Sequence, residues 1–176
     1  KEEVKWIWQD SFEHTFPGSG HQYMEEGLEH KPFLLLCNHC ENAPCVRVCP
    51  TQATFKNSSG STIMDFHRCI GCRYCMAACP YGARSFNWRD PKPFIKKQNA
   101  EFPARTIGVV EKCNFCDERL ALGKKPACVE ASGGALVFGD LKDPGSEVRE
   151  ILRTHFTIVR KPELGTRPSV FYVIGG

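Results

Sequence analysis

A chain of 176 residues with 41% apolar content and a formal charge of +3 has enough material for one ordinary globular domain and too much apolar content for a disordered one. Its longest apolar runs, Phe33 to Cys37 and Val170 to Ile174, cover five residues each against the ~20 that a membrane-crossing helix needs, so no direct span is expected. The charge gives no reason to expect nucleic acid as a partner, because the +3 counts eleven cysteines as neutral and metal binding would deprotonate them.

Residues 1–36 hold no cysteine and read as an N-terminal insertion or extension. Val4 to Trp8 is strand-like, Pro17-Gly18-Ser19-Gly20 is a turn, and Phe33 to Leu36 is a buried strand delivering the chain to Cys37. Residues 37–88 form a two-motif module, because Cys49-Pro50-Thr51-Gln52-Ala53 returns as Cys79-Pro80-Tyr81-Gly82-Ala83, each after three further cysteines. Between the copies, Ala53 to Lys56 and Ser61 to Asp65 flank Asn57-Ser58-Ser59-Gly60 as a hairpin. The proline after each final cysteine forbids a helix there. Residues 89–112 are expected to be an exposed connector, with prolines and charges and no periodicity up to 106.

Residues 113–140 carry the third cysteine group, and Ala135 to Phe138 echoes the strand-like Ala83 to Phe86 that follows the second. Residues 141–176 are a tail without a metal-ligand cluster, read as a docking or covering element. Asp143-Pro144-Gly145-Ser146 opens a short amphipathic helix through Val148, Ile151 and Leu152, and Phe156 to Arg160 and Val170 to Ile174 are strands.

An odd number of cysteines in three compact groups argues against a disulfide framework. Cys69, Cys72, Cys75 and Cys79, followed by Pro80, match the bacterial ferredoxin run C-x2-C-x2-C-x3-C-P in every position. In that run three thiolates hold one iron-sulfur cube while the fourth reaches the neighbouring cube. Cys37, Cys40, Cys45 and Cys49 supply the partner motif, with two extra residues in the second gap. Crossed ligation assigns Cys37, Cys40, Cys45 and Cys79 to one cluster and Cys69, Cys72, Cys75 and Cys49 to the other. The competing reading is structural zinc, which combines ligand pairs and has no use for two quartets that each end in Cys-Pro. The fold class is accordingly α+β, small ferredoxin-like repeats of short helices and β-hairpins organised around iron-sulfur clusters.

Cys113, Cys116 and Cys128 give a third site, with Ser132 where the pattern wants a fourth cysteine. Under crossed ligation that position would serve a partner cluster. The third site's own fourth ligand comes from a segment outside this sequence, from a non-cysteine group or water, or does not exist. The site then holds either a 4Fe-4S or a 3Fe-4S cluster. His39, between two ligands, fits a supporting or packing role better than a Rieske ligand, since Rieske centres need two histidines on one iron. Trp6, Trp8 and Trp88 read as packing residues. Arg47, Arg68, Arg73 and Arg84 flank the ligands and are either a solvated face or counter-charges.

Cys-Asn-His-Cys at 37 to 40, Cys-Ile-Gly-Cys-Arg-Tyr-Cys with Ala-Cys-Pro-Tyr-Gly-Ala at 69 to 83, and Cys-Asn-Phe-Cys to Gly-Lys-Lys-Pro-Ala-Cys-Val-Glu-Ala at 113 to 131 together resemble the last three of four motifs in the iron-sulfur subunits of the dimethyl sulfoxide and polysulfide reductase family. Within it, Ser132 to Ala135 and the tail Leu164 to Val170 are most similar to the ferredoxin-like subunit of the Dsr transmembrane complex of dissimilatory sulfur metabolism. The resemblance implies one-electron transfer without substrate chemistry in a membrane-bound respiratory complex. It also implies a polytopic quinone-interacting membrane subunit as partner, multihaem cytochrome and other iron-sulfur subunits as neighbours, and a place on the outer, periplasmic face of the membrane. The family's first motif is absent here and is expected before Lys1. There it would bring a fourth cluster and, crossed with the third group, the missing ligand.

Overall fold

Short elements are what the sequence's prolines and closely spaced cysteines permit. In a computed structural model that describes residues 4–20, 23, 24, 27, 30–99 and 102–174, no helix exceeds eight residues and each sheet has two antiparallel strands. The architecture is α+β, made of small helices and hairpins. Among the described residues no helix is long and apolar enough to cross a membrane.

The chain divides into two compact units, one running to Asn114 and including Arg160–Ser169, the other comprising Phe115–Val159 and the segment from Val170. In the first, β1 (Ile7–Ser11) leads through α1 (Phe12–Thr15) to β2 (Pro32–Leu36), and the strands pair from Ile7 with Leu36 to Ser11 with Pro32. Strand β1 starts later than the Val4 to Trp8 run suggests. The Lys5 backbone N–H donates to Ser85 Oγ at 2.9 Å and Trp6 Nε1 to Glu111 Oε2 at 2.9 Å, so these two residues are held elsewhere. Of the Phe33 to Leu36 run, Leu35 alone is fully buried.

The cysteine module then contributes α2 (Pro44–Arg47), the hairpin β3 (Thr54–Lys56) and β4 (Thr62–Met64), and α3 (Tyr74–Ala78), which packs on α2. Pro44 opens α2 at a position where its missing N–H costs nothing. Strand β5 (Ser85–Phe86) pairs with β6 (Val110–Glu111), so the end of the expected 89–112 connector is a strand. Gly71, between Cys69 and Cys72, has φ +70°, and a Cβ there would lie 2.4 Å from the Gly108 carbonyl oxygen. Only glycine lets the second cysteine loop approach the chain entering β6 so closely.

Residues 160–169 strap the first cysteine loop. Glu41 N–H donates to Arg167 O at 2.8 Å, Asn42 N–H to Thr166 O at 3.0 Å and Ser169 N–H to Asn38 O at 2.8 Å. Lys161 Nζ donates to Pro80 O at 2.8 Å, just past Cys79.

The second unit holds α4 (Asp117–Leu120), α5 (Ala127–Ala131), α6 (Glu147–Thr154) and the paired β7 (Thr157–Ile158) and β8 (Tyr172–Val173). Helix α6 carries Glu147 and Glu150 in its first turn and Arg153 in its last, the charge order that suits the helix dipole. Residues 135–138 form no strand. After α5 the chain turns through Gly133 and Gly134, both at positive φ, and Ser132 Oγ takes the Leu136 N–H at 3.0 Å. Strands β7 and β8 are shorter than the runs 156–160 and 170–174.

Candidate metal centre

The cysteine loops bring thiols of both motifs close together. Cys49, Cys69, Cys72 and Cys75 line one cleft enclosing about 290 Å³ of space, part of it open to solvent, walled by Thr54, Met64 and Val110. Cys75 is carried by α3, and the turn at Arg73, φ 62°, aims the loop into it. Cys49 enters from the other motif because the Cys-Pro turn, closed by Gln52 N–H to Cys49 O at 3.2 Å, redirects the chain into β3. Burial would raise the Cys49 thiol, but the Thr54 N–H, the Thr51 hydroxyl and the Thr51 and Ala53 N–H groups outweigh it and hold the thiol below its ordinary value. Such donors favour a thiolate.

Cys37, Cys40 and Cys45 are buried in one core with Cys75, Tyr81, Ala83 and Val110, and Cys69, Cys79 and Cys113 pack against it. Cys40 is pushed up to about 11, mainly by burial and against the Thr166 hydroxyl, with the charges of Cys37, Cys45 and Cys79 adding. Cys79 is raised by burial too, opposed by the Ala83 and Tyr81 N–H groups, with Cys37 and Cys45 adding.

In the third group, Cys113 belongs to the first unit, and its carbonyl accepts Lys112 Nζ at 2.7 Å and a His39 ring nitrogen. Cys116 starts α4 from a left-handed conformation, φ 54°, and Cys128 lies in α5. Burial raises Cys116 against the Ala127 N–H, and Glu118 and Cys128 add to it. Arg119 closes the loop between these two cysteines, donating Nε to Lys125 O at 2.9 Å and pairing with Glu130. The Ser132 hydroxyl donates to Val129 O at 2.8 Å and accepts Leu136 N–H, which commits it to ending α5.

His39 is buried between the first and third motifs. Its Nδ1 takes the Thr62 N–H at 3.2 Å, which leaves Nε2 to carry the proton toward Cys113 O at 3.1 Å. Burial first, then Lys112, with Lys56 and Arg84 adding, holds its pKa well below the usual histidine value despite the Cys113 bond. With both nitrogens engaged, the ring joins β4 to the third motif as a neutral bridge. His39→Ala should orphan a buried donor and a buried acceptor and lower stability by ~2–5 kcal/mol. Thermal unfolding of the anaerobic protein checks this, and an unchanged Tm would contradict the bridging role.

The four flanking arginines separate cleanly. Arg47, Arg68 and Arg73 are exposed, whereas Arg84 is buried. Arg73 stacks over Trp88 at 4.8 Å, and Trp88 is itself 54% exposed rather than packed inside. Sequence reasoning missed Lys56, which donates to Cys40 O and His39 O, and buried Lys112, which donates to Thr62 O and Cys113 O. It also missed Thr166, bonded to the Tyr81 hydroxyl. Lysines are common surface residues, and only the positions beside Cys113 and within the hairpin after Cys49 could have drawn attention to them.

The donor set fits a polynuclear iron-sulfur group. Four thiols, one of them from the other motif, line one cleft. Thiolates spread round a volume suit a cube with one thiolate per iron, whereas zinc draws its ligands to a point.

Residues 29–99 match the 4Fe-4S dicluster domain, which defines the class of protein. The chain is 54% identical over 153 residues to the Hdr-like menaquinol oxidoreductase iron-sulfur subunit 1 of Archaeoglobus fulgidus, covering 81% of this chain and 57% of that one. It is 40% identical to the arsenate respiratory reductase iron-sulfur subunit of Shewanella sp. (strain ANA-3), covering 92% and 79%. To the B subunit of the polysulfide reductase of Wolinella succinogenes it is 42% identical, covering 78% and 64%. The chain belongs to the family of iron-sulfur subunits of dimethyl sulfoxide, polysulfide and tetrathionate type reductases, which are electron-transfer rather than catalytic subunits. It spans little more than half the length of the first of these relatives.

Proposed function

We propose that this chain relays single electrons through three iron-sulfur clusters as the iron-sulfur subunit of a membrane-bound respiratory complex. What supports this reading is that Cys49 of the first motif lines one cleft with Cys69, Cys72 and Cys75 of the second, while Cys37, Cys40 and Cys45 are buried in the adjoining core. Cys37, Cys40, Cys45 and Cys79 hold one 4Fe-4S cluster, and Cys69, Cys72, Cys75 and Cys49 the second, each motif with its helix forming one of two half-modules. Cys113, Cys116 and Cys128 hold the third, which is either a 3Fe-4S cluster or a 4Fe-4S cluster with a fourth ligand other than these three.

The clusters supply one-electron chemistry when bound. The protein's own part is to bury the first group, to aim backbone N–H donors at Cys49, and to set Arg84 and Lys56 beside the thiols. No residue of the two groups is placed as a general acid or base. Turnover by the isolated chain would be the mark of an enzyme instead.

The named relatives include a menaquinol oxidoreductase and a polysulfide reductase, which favours a quinone-interacting membrane subunit as partner. The likeness of Ser132 to Ala135 and Leu164 to Val170 to the Dsr ferredoxin-like subunit adds dissimilatory sulfur metabolism, multihaem cytochrome neighbours and the outer face of the membrane. The alternative is the iron-sulfur subunit of another molybdopterin-family reductase or dehydrogenase.

Iron, zinc and sulfide analysis with electron paramagnetic resonance on anaerobically purified protein tests the core of this. About twelve irons per chain support three cubes, while about eleven with an oxidised three-iron signal leave Cys113, Cys116 and Cys128 without a fourth ligand. A colourless protein with stoichiometric zinc would overturn the reading.

A further inference from the structure

Arg84 enters β5 five residues after Cys79 and is only 6% exposed. Its Nη1 donates to Thr54 Oγ1 at 3.3 Å and approaches Met64 Sδ at 3.5 Å. Thr54 and Met64 face each other across β3 and β4, and both line the cleft of Cys49, Cys69, Cys72 and Cys75. The thiols that act most strongly on the guanidinium are those of Cys45 and Cys75, one from each proposed group, with Cys45 also engaging it as a side-chain hydrogen-bond partner and Cys37 adding. Its Nη2 is buried without a hydrogen-bond partner, and none of the carboxylate ion pairs among the described residues involves it.

A buried guanidinium without a carboxylate is costly unless another anion neutralises it. Lys56 and Lys112 differ, since both donate hydrogen bonds to backbone carbonyls, and the thiols acting on Lys56 are Cys40, Cys45 and Cys37, all of the first group. What faces Arg84 is sulfur, and thiolate-ligated clusters are anionic. We propose that Arg84 is the fixed counter-charge shared by the two neighbouring clusters, stabilising the reduced form of both. This rests on the cluster assignment given above.

The physical basis is simple. Reduction adds a negative charge to a cluster, and a permanent positive charge at its edge in a poorly hydrated interior favours that state. Because Arg84 faces one cysteine of each group, removing its charge acts on both clusters at once. Arg73, exposed and stacked on Trp88, lies beside the same motif and lacks this burial.

The test is a redox titration, followed by electron paramagnetic resonance, of the anaerobic full chain as wild type, Arg84→Gln, Arg84→Lys and Arg73→Gln, with iron counted in each. At each wild-type midpoint, Arg84→Gln should lower the reduced-to-oxidised ratio of both clusters about tenfold, equivalent to about 59 mV for a one-electron couple. Arg84→Lys and Arg73→Gln should leave the ratios near those of the wild type. Loaded Arg84→Gln with unchanged ratios, a shift in one cluster alone, or an Arg84→Lys shift as large as that of Gln would each overturn the proposal. If Arg84→Gln takes up no iron, Arg84→Lys decides alone, since unchanged ratios support a charge role and a tenfold fall refutes it. Absence of iron from the wild type would instead sink the cluster assignment.

Discussion

Cys79→Ser should empty or cripple the cluster of Cys37, Cys40 and Cys45 while leaving that of its sequence neighbours Cys69, Cys72 and Cys75 loaded. Cys79 follows α3 but does not line the cleft of Cys69, Cys72 and Cys75, and the crossed assignment proposed above gives it to Cys37, Cys40 and Cys45. Serine cannot replace a soft, easily ionised thiolate on iron, so the expected loss is about one to four irons per chain, all from one signal. Cys49→Ser should do the mirror image. Iron analysis with electron paramagnetic resonance reads both variants, and selective loss of the Cys69-side signal in Cys79→Ser would disprove crossed ligation.

Stripping the iron should unfold the first unit outright. Cys37, Cys40, Cys45 and Cys75 make up four of the eight buried residues of its central hydrophobic cluster, the others being Ala43, Tyr81, Ala83 and Val110. Two alanines, a valine and a tyrosine cannot replace what a bound inorganic core contributes between short helices and two-stranded hairpins. Ligand thiols raised by burial, as Cys40 is to about 11, would re-protonate at neutral pH once the iron left. The lost binding energy should exceed the about 5–15 kcal/mol by which domains are stable. Anaerobic chelation followed by near-ultraviolet circular dichroism and amide exchange checks this, and an iron-free chain that kept its protection in β3, β4, β5 and β6 would contradict it.

The legible part of this protein was the part written in local chemistry. Cysteine spacing, the Cys-Pro turns, the Asn57 to Gly60 hairpin turn and the Ser146 start of α6 each depend on neighbours in sequence, and each has its counterpart in the structure. What sequence could not show depends on partners far along the chain. Arg84 differs from Arg73 only in what covers it. Residues 160–169 strap Asn38 to Asn42 through backbone groups, which leave no mark on side-chain identity. The 135–138 run looked like a strand by composition, but Ser132 and two glycines had already fixed a turn there. Lys5 and Trp6 likewise bonded to Ser85 and Glu111 across a separation that no periodicity records.

The two groups of thiols differ in their access to water. Cys37, Cys40 and Cys45 are buried, whereas Cys72 stands exposed at the mouth of its cleft, with Ile70 and Tyr74 exposed on either side. Attack by dioxygen or peroxide on sulfur follows exposure and thiolate character. Damage in air should therefore begin at the Cys72 edge and reach the inner group only after the outer one has come apart, which makes the outer cluster a fuse for the inner.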